Sequence, residues 1–454
     1  MTRGRISVEE LPVVVIGAGP VGLAAAAHLL EHGLEPLVLE AGGQPGAAVQ
    51  AWSHIKLFSP WRFNIDNACR RLLDSAGWNT PSPARLPTGA QLVDEYLRPL
   101  ARGTVLRDKI RYGTRVTGIG RGERDKTHSA ARQNTPYMVR VAEDGEASDL
   151  QARAVIDASG TWSQPNPLGA SGLPALGEED QTVKQYLLGA LPDVLGVDRE
   201  RAAGKRVLVV GAGHSATNTL LNLAALKREE GQTEILWAIR GESAERSFGG
   251  GDRDGLPERG ALGDRLRRLV EAGLIQIMTS AAIQRLSEET PGAVTVEFTD
   301  GRTINVNAVA GATGFRPDLA MLRELRLDLD PGVESPSRLA PLIDPEFHSC
   351  GTVRAHGTEV LAHPEDGFFL AGIKSYGRAP TFLLATGYEQ VRSIAAYLAG
   401  QDSAPADLQL PETGVCSVAD PEDEEAADGF AVASSAEPQM VGVPTGLLHG
   451  RSGA

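Results

Sequence analysis

At 454 residues, with 42% apolar and 22% charged residues, the chain is long enough for two or three globular domains around a large core. Its formal net charge of −14 is uneven: positions 401–454 hold ten acidic residues against one arginine, a balance of −9, which leaves the body near −5, and neither part has the charge balance of a nucleic-acid binder. Cys69, Cys350 and Cys416 are far apart and form no CxxC pair, which argues against a disulfide framework and fits a reducing cytoplasm; the start, MTRGRISVEELP, lacks the apolar run of a secretory leader.

The first predicted elements lie in Leu11–Gly43. Val13–Ile16 reads as a buried parallel strand, Val21–Leu30 as a helix stopped by Gly33, and Pro36–Leu39 as a second strand ending at Glu40. Between the first strand and the helix, Gly17, Gly19 and Gly22 form GxGxxG, with Ala18 and Pro20 as the intervening turn residues. Gly17 permits the tight turn, Gly19 lets the backbone approach a pyrophosphate, and Gly22 lets helix pack on strand. The helix N-terminus offers N–H groups to the phosphates. Glu40, 23 positions after Gly17, can accept from the hydroxyls of an adenosine ribose. Pro12–Leu30 carries no Asp, Glu, Lys or Arg, but its Gly and Pro punctuation argues against a membrane helix.

Ser53–Asn67 (SHIKLFSPWRFNIDN) mixes aromatic and polar residues; it fits either a segment crossing a flavin face or an ordinary packed loop. Thr88–Ala101 predicts a helix and Ile110–Gly118 a strand, with Val116 near its end. Arg121–Thr135 reads as a polar surface connection. Tyr137–Val141 and Ala154–Ala158 predict strands, the second running into DASGTW, where Ser159 and Gly160 turn at the carboxyl end that binds ligands in open α/β sheets.

Gly204–Arg240 repeats the opening plan. Lys205–Val210 reads as a strand, GAGHSA (Gly211, Gly213, His214, Ser215, Ala216) as a GxGxxA turn, Thr217–Leu226 as a helix and Glu234–Ile239 as a second strand. This strand ends in Arg240, where an acid would repel a 2′-phosphate and an arginine can pair with it. The unit is therefore read as binding NADPH in preference to NADH, with Arg246 as a helper. Gly263–Leu274 predicts a helix, Ile283–Val306 edge strands with a turn at Asp300–Gly301, and VAGATGFRPD (Val309–Asp318) a turn bearing Thr313 and Gly314. His348, His356 and His363, with Cys350, follow no zinc spacing, so no metal site is expected. Phe368–Gly372 predicts a short strand, and Ile373–Gly400 a loop and a long helix. The tail from Gln401, with its acidic run Asp420–Asp428, is expected to be disordered. Its LPETG (Leu410–Gly414) matches a cell-wall sorting signal, which the acidic continuation contradicts.

Two dinucleotide units, one with Glu40 and one with Arg240, resemble the flavin-containing monooxygenase branch of the two-dinucleotide-binding flavoproteins. The resemblance runs from about Leu11 to Gly400. It rests on GAGPVG (Gly17–Gly22), VGAGHSA (Val210–Ala216), ATGF (Ala312–Phe315) and GIKSYGRAPTFLLATGYEQVR (Gly372–Arg392), with Pro380, Glu389, Gln390 and Arg392 in place. It implies an α/β fold of two Rossmann-like domains, the NADPH domain inserted in the FAD domain. The corresponding boundaries are 1–165 and 321–400 for the FAD domain, 166–203 for a connector and 204–320 for the NADPH domain. FAD would contact Gly17, Ala18, Gly19, Pro20, Gly22, Glu40, Val116, Ser159, Gly160 and Gly372. NADPH would contact Gly211, Gly213, His214, Ser215, Arg240, Thr313 and Gly314. Candidate groups near the flavin are His54, Lys56, Asn64, Lys374 and Tyr376. The implied reaction is transfer of one oxygen atom from a C4a-peroxyflavin to a small nucleophile or ketone, with molecular oxygen as co-substrate. Two alternatives stay open: a reductase delivering electrons to a quinone, a protein or oxygen, and a flavin-loaded redox sensor or scaffold. The span 163–203 departs from the family, which carries F-x-G-x-x-x-H there, because it has no histidine. A homodimer is left open.

Overall fold

The computed structural model describes residues 7–249, 257–344, 355–379 and 382–404. Contacts group Met1–Ser417 into one unit; the other, Val418–Ala454, lies outside the described residues. His348, Cys350, Pro380, the sorting-like pentapeptide, Cys416 and the acidic run also lie outside them.

The opening residues form β1 (Val13–Ile16), α1 (Pro20–Glu31) and β2 (Pro36–Leu39). The stretch expected as one strand at 110–118 is instead two, β3 (Ile110–Arg111) and β4 (Arg115–Arg121). The break has a local cause. Gly113 is left-handed (φ +66°), its N–H donates to Gly42 O, and Thr114 N–H donates to Glu40 O. This turn hands the chain from the parallel sheet to an antiparallel meander of β4, β5 (Tyr137–Glu143) and β6 (Glu146–Ala152). β7 (Ala154–Asp157) then returns to the first sheet.

The expected helix at 88–101 starts under a Thr88–Gln91 capping box but widens to a π-turn at Leu92–Leu97 before continuing over Arg98–Gly103. Pro99 has no N–H to donate back along the helix. The Glu95 carbonyl accepts from the Trp78 indole at 2.8 Å.

Within 166–203, expected as a connector, β8 (Leu187–Gly189) is an edge strand of the second sheet. That sheet continues through β9 (Arg206–Val210), α2 (His214–Glu229), β10 (Glu234–Ala238), α3 (Pro257–Glu271) and β11 (Gln276–Met278). A meander of β12 (Ile283–Thr290), β13 (Ala293–Phe298) and β14 (Thr303–Val306) precedes β15 (Ala308–Gly311). β16 (Phe368–Leu370) and α4 (Leu384–Leu398) close the described chain.

Both five-stranded sheets are parallel, in the orders β16-β7-β1-β2-β3 and β11-β10-β9-β15-β8. The second unit is thus inserted between β7 and β16 of the first. Parallel sheets need both faces covered. Val13 and Val15 pack into a core with α1, α4 and Trp61, while Val14 and Ile16 pack into one with Tyr137 and Val139. α1 is buried nearly all round, which explains its run of four alanines, Ala24–Ala27.

Candidate functional site

Strand register brings the functional turns to one edge of each sheet. Ile16 pairs with Leu39 and with Asp157, and Asp157 with Leu370. Gly17, Glu40, Ser159–Gly160 and Gly372 therefore follow the carboxyl ends of four adjacent strands. In the second sheet Val210 pairs with Ala238 and with Gly311, so Gly211, Arg240 and Thr313–Gly314 form the corresponding edge.

The first turn fits a pyrophosphate. Gly17 has φ +97°, and a Cβ there would stand 2.9 Å from Ala158 O. A Cβ on Gly22 would fall 1.9 Å from Gly17 O, so helix and turn pack backbone to backbone. Gly19 has nothing within 4 Å of its would-be Cβ. That open cradle faces the first turn of α1, whose amides lack intrahelical acceptors. Beside it the Glu40 carboxylate accepts from Ala18 N–H and Gly42 N–H, both at 2.7 Å. These bonds fix its position, and each oxygen keeps a lone pair for a ribose hydroxyl. Val116 lies on β4, two residues beyond the Thr114 N–H that binds Glu40 O.

The second turn is built alike. Gly211 has φ +125° and lies against Ala312 O, while Gly213 is open. The Trp237 indole donates to Gly211 O at 2.7 Å. Arg240 is exposed and spends one N–H on Ala170 O at 3.2 Å; Arg246 is exposed in a short 3-10 turn. Thr313 donates to Asn166 O and its carbonyl accepts from the Asn166 amide, which ties the two crossings between the sheets. Trp162 stacks on Phe315 at the same crossing, with ring centroids 5.0 Å apart. His214, the first residue of α2, packs its ring 5.4 Å from Phe58 of the 53–67 segment.

The five groups expected beside the flavin divide sharply. Asn64 is fully buried: its amide donates to Ser59 O, its oxygen accepts from Ser59 Oγ, and Tyr388 donates to its carbonyl. Each side-chain end thus makes one hydrogen bond that holds the 59–64 turn. Tyr376 is enclosed between His356 and Phe382, and burial pushes its hydroxyl pKa up. Lys374 is fully buried, its ammonium 2.7 Å from Asp157 Oδ2 and 3.0 Å from Ser159 Oγ. Ser159 in turn donates to Asp157 Oδ1 through its hydroxyl (2.6 Å) and its N–H (3.1 Å). Lys374 thus ties the Ser159–Gly160 turn to Asp157. Lys56 is exposed, and His54 is half-buried with Nε2 lacking a hydrogen-bond partner among the described residues.

Two polar networks escaped the sequence reading. Arg121 and Arg132, placed in an expected surface connection, are 3% exposed and converge on Glu365, also 3% exposed. The residues of the closing motif acquire physical roles. Gln390 Oε1 accepts from Gly372 N–H at 2.8 Å while its amide lies 2.9 Å from both His356 Nε2 and Ser375 Oγ; Arg392 grips Glu389 with two nitrogens. Cys69 is fully buried, and burial pushes its thiol pKa well up, which makes it a core residue rather than a redox thiol. Among the described residues no group of three or more His, Cys, Asp or Glu could hold a metal, and no helix is long and apolar enough to cross a membrane.

Two parallel sheets, each with an open glycine turn at its carboxyl edge and the second inserted in the first, give the architecture of a two-dinucleotide-binding flavoprotein. The family model described as pyridine nucleotide-disulphide oxidoreductase matches residues 14–349, and the chain belongs to that family. Among curated relatives, the human putative dimethylaniline monooxygenase [N-oxide-forming] 6 is 28% identical over 51% of this chain and 40% of its own length. The chain thus spans about two fifths of that relative. The fold is shared with the bacillithiol disulfide reductase of Bacillus cereus (TM-score 0.64, 19% identity, 86% of this chain and 99% of that one). It is also shared with the FAD-bound cadaverine monooxygenase of Erwinia amylovora (TM-score 0.60, 13% identity, 89% and 98%).

Proposed function

We propose that the chain is an NADPH-dependent FAD monooxygenase acting on a small nucleophilic or ketone substrate. The observation that carries the reading is the paired edge: Glu40 beside one open glycine turn, Arg240 at the matching place beside the other. In this reading residues 1–165 and 321–400 hold FAD and 204–320 hold NADPH. FAD, when bound, supplies hydride acceptance and oxygen activation. The chain's own residues supply the rest. Gly19 and the α1 N-terminus receive the FAD pyrophosphate, and Glu40 receives the ribose. Gly372, pinned by Gln390, and Ser159, pinned by Lys374, would hold the sheet edge offered to the cofactor. Gly213 and the α2 N-terminus receive the second pyrophosphate, and Arg240 the 2′-phosphate. His54 and Lys56 are the groups left to approach the substrate. Sequence similarity to monooxygenases over half the chain supports the oxygenating reaction.

A second reading, electron delivery to a quinone, a protein or oxygen without oxygenation, is favoured by one observation. Asn64, one of the candidate groups near the flavin, is fully buried and hydrogen-bonded at both side-chain ends to Ser59. The two readings separate when NADPH oxidation is run under ¹⁸O₂ with a panel of amines, sulfides and ketones. Label in an organic product supports oxygenation; quantitative hydrogen peroxide with every substrate refutes it. Arg240→Ala is expected to raise KM for NADPH at least tenfold and leave that for NADH unchanged. Equal effects on both would remove the 2′-phosphate assignment.

A further inference from the structure

A cleft of about 540 Å³ lies between α2, α3 and the Lys56–Phe58 segment. Its volume is within the range of small-molecule sites. Its apolar floor comes from Leu57, Phe58, Leu221, Leu262 and Leu269, with the amides of Asn218 and Asn222 beside them. Its rim carries four cations, Lys56, Arg228, Arg265 and Arg268, against one carboxylate, Glu258. Glu258 is 3.9 Å from Arg265, and both are partly exposed, so that pair is weak. Among the described residues no ion pair engages Arg228 or Arg268.

The cleft starts one helical turn from the dinucleotide turn, where the Asn218 amide donates to His214 O at 2.9 Å and Phe58 packs on the His214 ring, but its Arg228 end lies far from that turn. Arg228 is 14 residues beyond His214, the first residue of α2, which at 1.5 Å per residue is about 21 Å along the axis. Arg240 and the glycines stand at the other end of that helix. The Lys56–Phe58 side comes from the first sheet's half of the chain and the two helices from the inserted half, so an occupant would touch both.

We propose that this cleft binds a small amphipathic organic anion, one carboxylate or sulfonate on an apolar body. The apolar floor rewards burial of a hydrocarbon or aromatic body. The arginines supply charge-assisted hydrogen bonds to the acid group. A purely inorganic anion would leave the floor unused, and a cationic amphiphile would meet like charge.

The test uses the FAD-loaded full chain and 8-anilinonaphthalene-1-sulfonate titrated by calorimetry. The expected result is one saturable site, displaced by octanoate, not displaced by octyltrimethylammonium or by NADP⁺, and weakened by added NaCl. Charge reversal with Arg228→Glu and Arg268→Glu is expected to raise the probe's Kd at least tenfold at an unchanged melting temperature. Both side chains are exposed, so folding should be retained; should the reversal fail to fold, the pair Arg228→Gln and Arg268→Gln is expected to raise Kd about fivefold. Displacement by NADP⁺, equal displacement by the cation, or an unchanged Kd in folded variants would overturn the proposal. None of these outcomes depends on NADPH turnover, so the proposal stands or falls apart from the monooxygenase reading.

Discussion

Glu365→Gln should destabilise the protein by about 3 kcal/mol, the lower end of the range for breaking a buried ion pair. The native carboxylate receives four N–H groups. Oε1 accepts from Arg121 Nε at 2.9 Å; Oε2 accepts from Arg132 Nη2 at 2.9 Å, Arg132 Nε at 3.3 Å and Arg326 N–H at 3.0 Å. Glutamine keeps one acceptor oxygen and turns an NH₂ toward donors, leaving two buried guanidinium groups with no countercharge. The figure stays low because carbonyls still hold both arginines: Thr135 O receives Arg121 at 2.9 Å, and Arg124 O, Asp125 O and Glu324 O receive Arg132 at 3.0, 2.8 and 2.9 Å. With a urea m-value of about 3 kcal/mol/M, the midpoint should fall by about 1 M. Urea titration followed by fluorescence reads this directly, since Trp61 and Trp237 are fully buried. The pH dependence has a definite sign. Burial alone would raise the Glu365 pKa, but the hydrogen bonds from Arg132, Arg326 and Arg121 outweigh it and hold it below the ordinary 4.5. Its stabilisation is therefore complete above about pH 4.5 and is lost as pH falls through the depressed folded value. The variant should lack that part of the acid dependence. A midpoint shift below about 0.2 M, or an unchanged acid limb, would refute the reasoning.

The two glycines of the first turn should separate binding from folding. Gly19→Ala enters open space and is expected to keep the melting temperature within about 2 °C while cutting bound FAD at least tenfold, whereas Gly22→Ala, its Cβ 1.9 Å from Gly17 O, is expected to cost about 2–3 kcal/mol in denaturation. Lys374→Met should leave the Asp157 carboxylate unpaired where both side chains are fully buried, costing about 3–5 kcal/mol; adding Asp157→Asn should recover part of the loss, and no recovery would show that packing rather than charge is at stake. Burial lowers the His363 pKa from 6.5 to about 4, so its contribution is complete above pH 6.5 and drains by about 2–3 kcal/mol as pH falls toward 4. His363→Gln should flatten the stability profile across that window, and an unchanged slope there would assign the acid dependence elsewhere.

What was legible in the sequence is what the chain writes locally. The strand ends at Ile16, Leu39 and Val210 come from short apolar runs followed by Gly or an acid, the ends expected at Ala158 and Gly372 fall one and two residues earlier, at Asp157 and Leu370, and strand register then aligns their turns. What escaped is long-range. Arg121 and Glu365 are 244 positions apart, and Lys374 and Asp157 are 217 apart, so no window reveals either pair. Arg132 stands in a polar stretch that looks solvated; only its fold-back onto Glu365 buries it. The broken strand at 110–118 had its signal in Gly113, which is left-handed.

The same distinction sorts the candidate reactive groups. A residue near a motif in sequence shares its edge of the sheet, but sharing an edge does not aim a side chain at the ligand. Lys374 follows Gly372 closely, yet its long side chain runs inward to Asp157, because β7 and β16 are neighbours and bring the carboxylate beneath it. Asn64 turns inward because Ser59, five residues back, offers both a donor and an acceptor. His54 precedes that turn and has no such neighbour: Nε2 is buried without a partner among the described residues. An unpaired buried nitrogen costs about 1–3 kcal/mol, a cost that a ligand acceptor or donor at that position would relieve. His54→Leu should therefore leave the cofactor-free protein as stable or slightly more stable. In the FAD-loaded protein the same change should weaken FAD or substrate binding, seen as a smaller FAD-induced rise in melting temperature or a raised substrate KM. Equal destabilisation with and without FAD would instead make His54 a packing residue and leave Lys56 alone on that side of the site.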